Sequence, residues 1–247
     1  MNMGSVPVVA SGDTRLNTPD APGRPGAQAW TRDGRRFRLV KAGAAALATG
    51  SLCQGVGPNL GHLQMIPTAD VPVGSRTIRV TAGSGAGTNV PENTYAGGVA
   101  IVNVTGAQFS YAVKGHEAIV ATLPFTIVLE SDDLTLILIA AATAKIDLIA
   151  NPYLNVVATP GTAATGGVVG AIASPTGILA GNWGFVQVEG LAVLRSDAVA
   201  VTVGQAISPS VTVAGSATLN AGTLPVIGSA IEAAPTPQGF AVSLTLP

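Results

Sequence analysis

Thr77-Ile78-Arg79-Val80-Thr81 alternates polar and apolar side chains, and all but Arg79 are β-branched. A period of two with β-branched enrichment is the signature of a strand with one buried face. The same alternation runs through Phe240-Ala241-Val242-Ser243-Leu244-Thr245-Leu246 at the C-terminal end. It returns at Val199, Val201 and Val203, and again at Val211 and Val213. Turn signals punctuate these runs at short intervals: Gly97-Gly98, Gly106, Gly115, Asn151-Pro152, Gly166-Gly167, Gly181-Asn182, Gly204 and Gly228. Short strands at that spacing predict an all-β fold, a sandwich-like or barrel-like body of antiparallel strands, rather than βαβ units. Helix is expected in at most two short places. One is Ala42–Ala48. The other is Leu134–Lys145, where Asp132 or Asp133 would cap the N-terminus, although Leu136-Ile137-Leu138-Ile139 reads equally well as a buried strand.

The composition narrows the class further. The chain has 247 residues, of which 47% are hydrophobic, only 4% aromatic and only 10% charged, with a net charge of −1. A typical soluble domain is about 25% charged. Abundant Val, Ile and Leu argue against disorder throughout, and the single cysteine, Cys53, excludes a disulfide scaffold. Neutralising phosphates needs an excess of Lys and Arg, so nucleic-acid binding is disfavoured. The apolar run from Leu134 to Ala144 is about half the roughly 20 residues a bilayer requires, so no membrane partner is expected. No secretory signal is apparent, and cytoplasmic synthesis is the expectation. Sparse, balanced charge leaves little to keep a surface soluble and favours association. Much of the surface is therefore expected to lie against other protein.

The charges are unevenly placed. Residues 1–41 carry seven basic and three acidic groups, whereas the rest of the chain carries five and ten. The expected organisation is an extended N-terminal arm (1–30), a β-rich domain (31–158), a small-residue linker (159–167) and a second β-rich sub-domain (168–247). Between Ser11 and Gly26 the arm is rich in Pro and Gly, and it can order only by docking on something. The basic segment Arg32-Asp33-Gly34-Arg35-Arg36-Phe37-Arg38 admits two readings. It could dock on an acidic partner through charge-assisted hydrogen bonds. Alternatively, Asp33-Gly34 is a hairpin turn whose arginines guard an edge strand.

Catalytic constellations are not evident. His62 and His116 sit in Gly61-His62-Leu63 and Gly115-His116-Glu117, with no Gly-x-Ser-x-Gly elbow anywhere, so structural or exposed roles are expected for both. Cys53, between Leu52 and Gln54, reads as a buried, inert thiol. Glu130, Asp132 and Asp133 lack the spacing of a calcium loop and read as a cap or a solvated turn. Gly83-Ser84-Gly85-Ala86-Gly87 looks like a phosphate cradle, but no helix can follow through Asn89-Val90-Pro91, so a hairpin tip is expected. No catalytic residue, metal, cofactor or small-molecule substrate is expected.

Five phrases in order resemble structural proteins of tailed bacteriophages. Thr31-Arg32-Asp33-Gly34-Arg35-Arg36-Phe37-Arg38-Leu39-Val40-Lys41-Ala42-Gly43 is similar to their opening motif, and Tyr95-Ala96-Gly97-Gly98 and Asn151-Pro152-Tyr153 follow. Gly181-Asn182-Trp183-Gly184-Phe185-Val186-Gln187-Val188-Glu189-Gly190 and Val226-Ile227-Gly228-Ser229-Ala230-Ile231-Glu232-Ala233 resemble later segments. The similarity covers about residues 30–247, with Leu39 standing where the family has an aromatic. The resemblance implies a capsid decoration, or cement, protein. Such a protein would sit on the outside of the virion capsid, bind the major capsid protein and form homo-oligomers, with trimers favoured. On this reading the residues meeting the shell or a neighbouring copy are Arg24, Trp30, Arg32, Arg35, Arg36, Arg38, Trp183 and Phe185. A receptor-binding or adhesive head or tail appendage is the alternative.

Overall fold

The computed structural model describes residues 13–132, 135–222, 224–233 and 239–246. Among them the chain is all-β, with two three-residue 3₁₀ turns, Asp13–Arg15 and Leu60–His62, as its helical content. It divides into two compact units, the second (57–151) inserted into the first (1–56 and 152–247).

The first unit opens with β1 (Gln28–Trp30), β2 (Arg36–Lys41) and β3 (Leu52–Gln54). The inserted unit contains β4 (Ile66–Pro67), β5 (Thr77–Thr81), β6 (Val99–Val104), β7 (Ala107–His116), β8 (Pro124–Leu129) and β9 (Lys145–Ile149). The first unit resumes with β10 (Val157–Ala158), β11 (Val168–Ile172), β12 (Trp183–Arg195) and β13 (Ala206–Pro209). It ends with β14 (Ala217–Leu219), β15 (Gly228–Ala230) and β16 (Gly239–Thr245).

In the first unit β12 is the spine. Its first half lies between β2 and β11, and its second half pairs with β16 from Glu189↔Thr245 to Arg195↔Gly239. The sheet runs β10-β3-β11-β12-β16-β15-β13-β14, with β2 and β1 branching from β12. Alternation does the sorting. Phe240, Val242 and Leu244 of β16 turn inward to join Val186, Val188 and Leu194 of β12, Val40 of β2 and Leu52 of β3. Each such buried side chain contributes about 1.5–3 kcal/mol by leaving water. A register shift between Val168 and Gly170 breaks the β11–β3 ladder. Gly170 takes φ +152° there, and a Cβ would lie 2.6 Å from Val186 Cγ2, so glycine is required.

The inserted unit curls its six strands in the order β4-β5-β8-β7-β6-β9. Met65, just before β4, and Ile146 of β9 exchange both backbone hydrogen bonds at 2.9 Å, which joins the two edges into a barrel. The opening pentapeptide is β5, with Ile78 and Val80 buried. They pack with Val102, Val113, Phe125, Ile127, Ile146 and Leu148.

Both expected helices are absent among the described residues. Ala42 and Leu47 instead bridge Val156 and Ile178 in strand-like fashion, and Ile139 bridges Val71. Alternating Leu and Ile follow period two, with Leu136 and Leu138 exposed and Ile139 buried, and only a single turn, Ala140–Ala144, carries helical bonds. Asp133 and Leu134 lie outside the described residues. Val199–Val203 and Val211–Val213 are turns rather than strands; only Val201 of these forms a bridge.

The domain boundaries also differ from the sequence reading. Thr159 is buried and its N–H bonds Leu52 O, while Gly161 lies against the backbone of Thr212 and Ala214. Small residues in 159–167 therefore permit close approach inside one unit rather than supplying a linker. The chain leaves and re-enters the first unit side by side, with Gly55 against Pro152. The described part of the arm docks on its own body: Thr14 is buried, Thr18 bridges Trp183, and Asn17 Oδ1 accepts from Asn182 Nδ2 at 2.8 Å. Residues 1–12 of the expected arm lie outside the described residues.

Candidate interaction surface

Asp33-Gly34 forms the β1–β2 hairpin turn, with Gly34 at φ +83° and Thr31 N–H bonding Arg35 O. The Thr31 hydroxyl donates to Asp33, and Arg35 Nε pairs with Asp33 Oδ2 at 2.8 Å. The Thr31 hydrogen bond first, then Arg35, holds the Asp33 carboxyl below its ordinary range.

The basic strand is largely committed to its own molecule. Arg36 pairs with Glu189 at 3.1 Å, donates to Leu246 O and stacks over Trp30. Arg38 donates to Gly26 O and stacks over Tyr153, and Lys41 lies over Trp183. Each stack contributes about 0.5–1 kcal/mol at a partly exposed site. Arg35 lies over Phe37 besides its ion pair. Of the eight residues expected at an interface, Arg24 and Arg32 are exposed, Trp183 is buried, and Trp30, Arg35, Arg36, Arg38 and Phe185 are half-buried. Trp30, Arg35, Arg36 and Arg38 come together on the hairpin, and Trp183 sits across from Lys41 in the β12–β2 register.

The more open surface was not singled out by sequence. On the second half of β12, Leu191 and Val193 are 58% and 64% exposed while Ala192 and Leu194 are buried. Their cross-strand partners on β16 are Ser243 and Ala241. Ser243 in turn faces Ser229 of β15, which faces Ala206 of β13, and Ile231, 51% exposed, bonds Ala241 O. Directly opposed residues share a face. The outer rows are therefore Leu191-Ser243-Ser229-Ala206 and Val193-Ala241-Ile231. Neither contains a charge, although an outward antiparallel face is ordinarily polar. A cleft of about 480 Å³ adjoins Leu191 and Val193 and is lined also by Arg35, Thr49, Ile172 and Gln187. The signal was present in the sequence, since Leu191-x-Val193 alternates with Ala192 and Leu194, but apolar residues on both faces leave the outward set undefined.

The remaining candidates separate cleanly. Cys53 is buried and free, and burial pushes its thiol pKa far up. Glu130 and Asp132 are exposed, Asp133 lies outside the described residues, and no group of metal-binding side chains forms among the described residues. Gly83–Gly87 is a loop, with Gly85 and Gly87 at positive φ. His62 and His116 take the structural of their two expected roles: both are buried and converge on Tyr95. No helix among the described residues is long and apolar enough to cross a membrane. Comparison with protein-family models, curated proteins and solved structures finds no match to this chain.

Proposed function

We propose that this chain is a structural protein of a tailed-phage particle, a decoration protein that binds the outer surface of the mature capsid and stabilises it by bridging capsomers. The observation that carries this reading is the uncharged outer face built by Leu191, Val193, Ala241 and Ile231. The charges nearest these rows, Glu189 and Arg195, stand at their two ends on β12 rather than within them, so covering the centre of the face carries little charge-desolvation cost, and apolar, charge-poor patches are what interface cores are made of. The five phage-like phrases of the sequence point the same way. The occupant of this face is a second copy of the same chain, because Leu191, Val193 and Ile231 of one copy can cover those of another with no charge opposed at the centre of the contact. The homo-oligomer, a trimer on the phage-like reading, then presents the exposed Arg24 and Arg32 to the major capsid protein.

The mechanism is linkage rather than chemistry. A ligand that binds the expanded lattice and not the alternatives stabilises that lattice by mass action. The purified chain, mixed with expanded phage heads lacking their decoration protein, is expected to cosediment with them and to raise their rupture temperature. Absence from the pellet with an unchanged rupture temperature would refute the proposal, as would labelling confined to the tail tip.

A further inference from the structure

In the inserted barrel, Tyr95 is held at both ends by histidines. Its backbone N–H donates to His116 Nε2 at 3.0 Å, and its hydroxyl meets His62 Nδ1. The other ring nitrogens fix the tautomers. His116 Nδ1 lies 2.6 Å from Glu117 O, and His62 Nε2 lies 2.8 Å from Thr88 O, so each must carry its proton there. His116 is consequently a neutral acceptor toward the Tyr95 N–H, and His62, in the neutral form its burial favours, accepts from the Tyr95 hydroxyl. The three rings touch in series, with centroids 5.2 Å and 5.5 Å apart, and Phe125 closes the stack behind His116. All three are buried.

The two histidines differ in what a second proton does. A protonated His62 would donate through Nδ1, and the Tyr95 hydroxyl can rotate to accept. A protonated His116 would aim an N–H at the backbone N–H of Tyr95, which can neither rotate nor accept. Two donors then face each other in a buried site, at the full cost of an unmet hydrogen bond. We propose that His116 is an acid-operated latch: a second proton on it releases the first half of the Tyr95 turn, residues 92–96, from the end of β7.

The neighbourhood supports a real proton exchange. A surface depression has Glu92, Lys114, His116 and Glu117 in its lining, so His116 lies at its edge. Glu92 favours the protonated form, Lys114 shares the depression as a cation, and Glu117 already accepts from Thr126 N–H. His62 faces His116 as a potential like charge. Strand β8, packed behind, contributes Phe125 and no titratable group. Burial outweighs these and holds both histidines below their ordinary range. The first half of the turn is otherwise tied by the same residue: Asn93, at φ +61°, donates its N–H to His116 O and accepts from His116 N–H, while Gly97 and Gly98 at the far end stay bonded to Val113 of β7.

The sign follows from linkage. The open turn takes up a proton near the ordinary imidazole value of about 6.5, whereas the latched turn does so only at lower pH. Above that value the latch is fully closed. Below it the opening constant rises about tenfold per pH unit until the latched form itself protonates.

Amide exchange of the full chain, corrected for intrinsic rates, tests this from about pH 8 to about pH 4, spanning the imidazole range. Protection at Tyr95 should be level above the imidazole value and then fall about tenfold per unit, while Ile127 in β8 stays protected. H62Q should retain this response and H116Q should abolish it. Level Tyr95 protection throughout, or loss at Tyr95 and Ile127 together, would overturn the proposal even if neither variant folds. So would loss of the response in H62Q with its retention in H116Q.

Discussion

Phe37 is fully buried on β2 while Arg36 and Arg38 beside it hold half-buried positions by ion pair, carbonyl and aromatic contacts. Phe37→Ala removes a large core side chain and should cost about 3–5 kcal/mol by chemical denaturation. Arg36→Ala leaves the buried Leu246 carbonyl without its side-chain donor and should cost about 1–2 kcal/mol, since half-exposed Glu189 regains water, whereas exposed Arg24→Ala should change stability by no more than about 0.5 kcal/mol. Cys53 should resist thiol reagents in the folded chain and react fully once denatured, because burial suppresses its thiolate. Cys53 was legible as a lone cysteine beside Leu52. The His62–Tyr95–His116 cluster was not, because its members are brought together by barrel closure across separations of 33 and 21 residues that no local pattern encodes.

The strands were the readable elements. Thr77–Thr81 and the Phe240 run alternate cleanly because one face meets a core and the other meets solvent, and both are strands with the expected residues inward. Where residues on both faces are apolar, as in Leu136–Ile139, period alone could not separate strand from helix, and the Val71–Ile139 bridge decided; the alternation at Val199–Val203 read as a strand but forms none. The bulge at Gly170 had no sequence signature beyond a glycine among valines. Gly170→Ala meets both the positive φ and Val186, and should lower the melting temperature with a cost of about 1–3 kcal/mol. Gly34→Ala, with the same sign of φ but open space around it, should cost less.

At the scale of the molecule, sequence conveyed the all-β class but placed the division at 159–167, where composition looks like a linker. The discontinuous unit is invisible to composition because its two halves are joined by tertiary pairing, including β3 with β10 and β11, and β2 with β12. Replacing residues 57–151 by a short glycine linker between Val56 and Pro152 should leave a folded first unit with its strand circular dichroism, because the two chain ends already lie together at Gly55. Loss of cooperative unfolding in that variant would contradict the division. The account as a whole rests on the uncharged outer face being buried between copies. Sedimentation equilibrium of the full chain beside Val193→Glu tests this most directly, since a charge at the centre of a homotypic face costs affinity on both sides of the contact. We predict a defined oligomer for the natural chain and at least a tenfold weaker association for the variant; a natural chain that sediments as a monomer, or an oligomer indifferent to the glutamate, would contradict it.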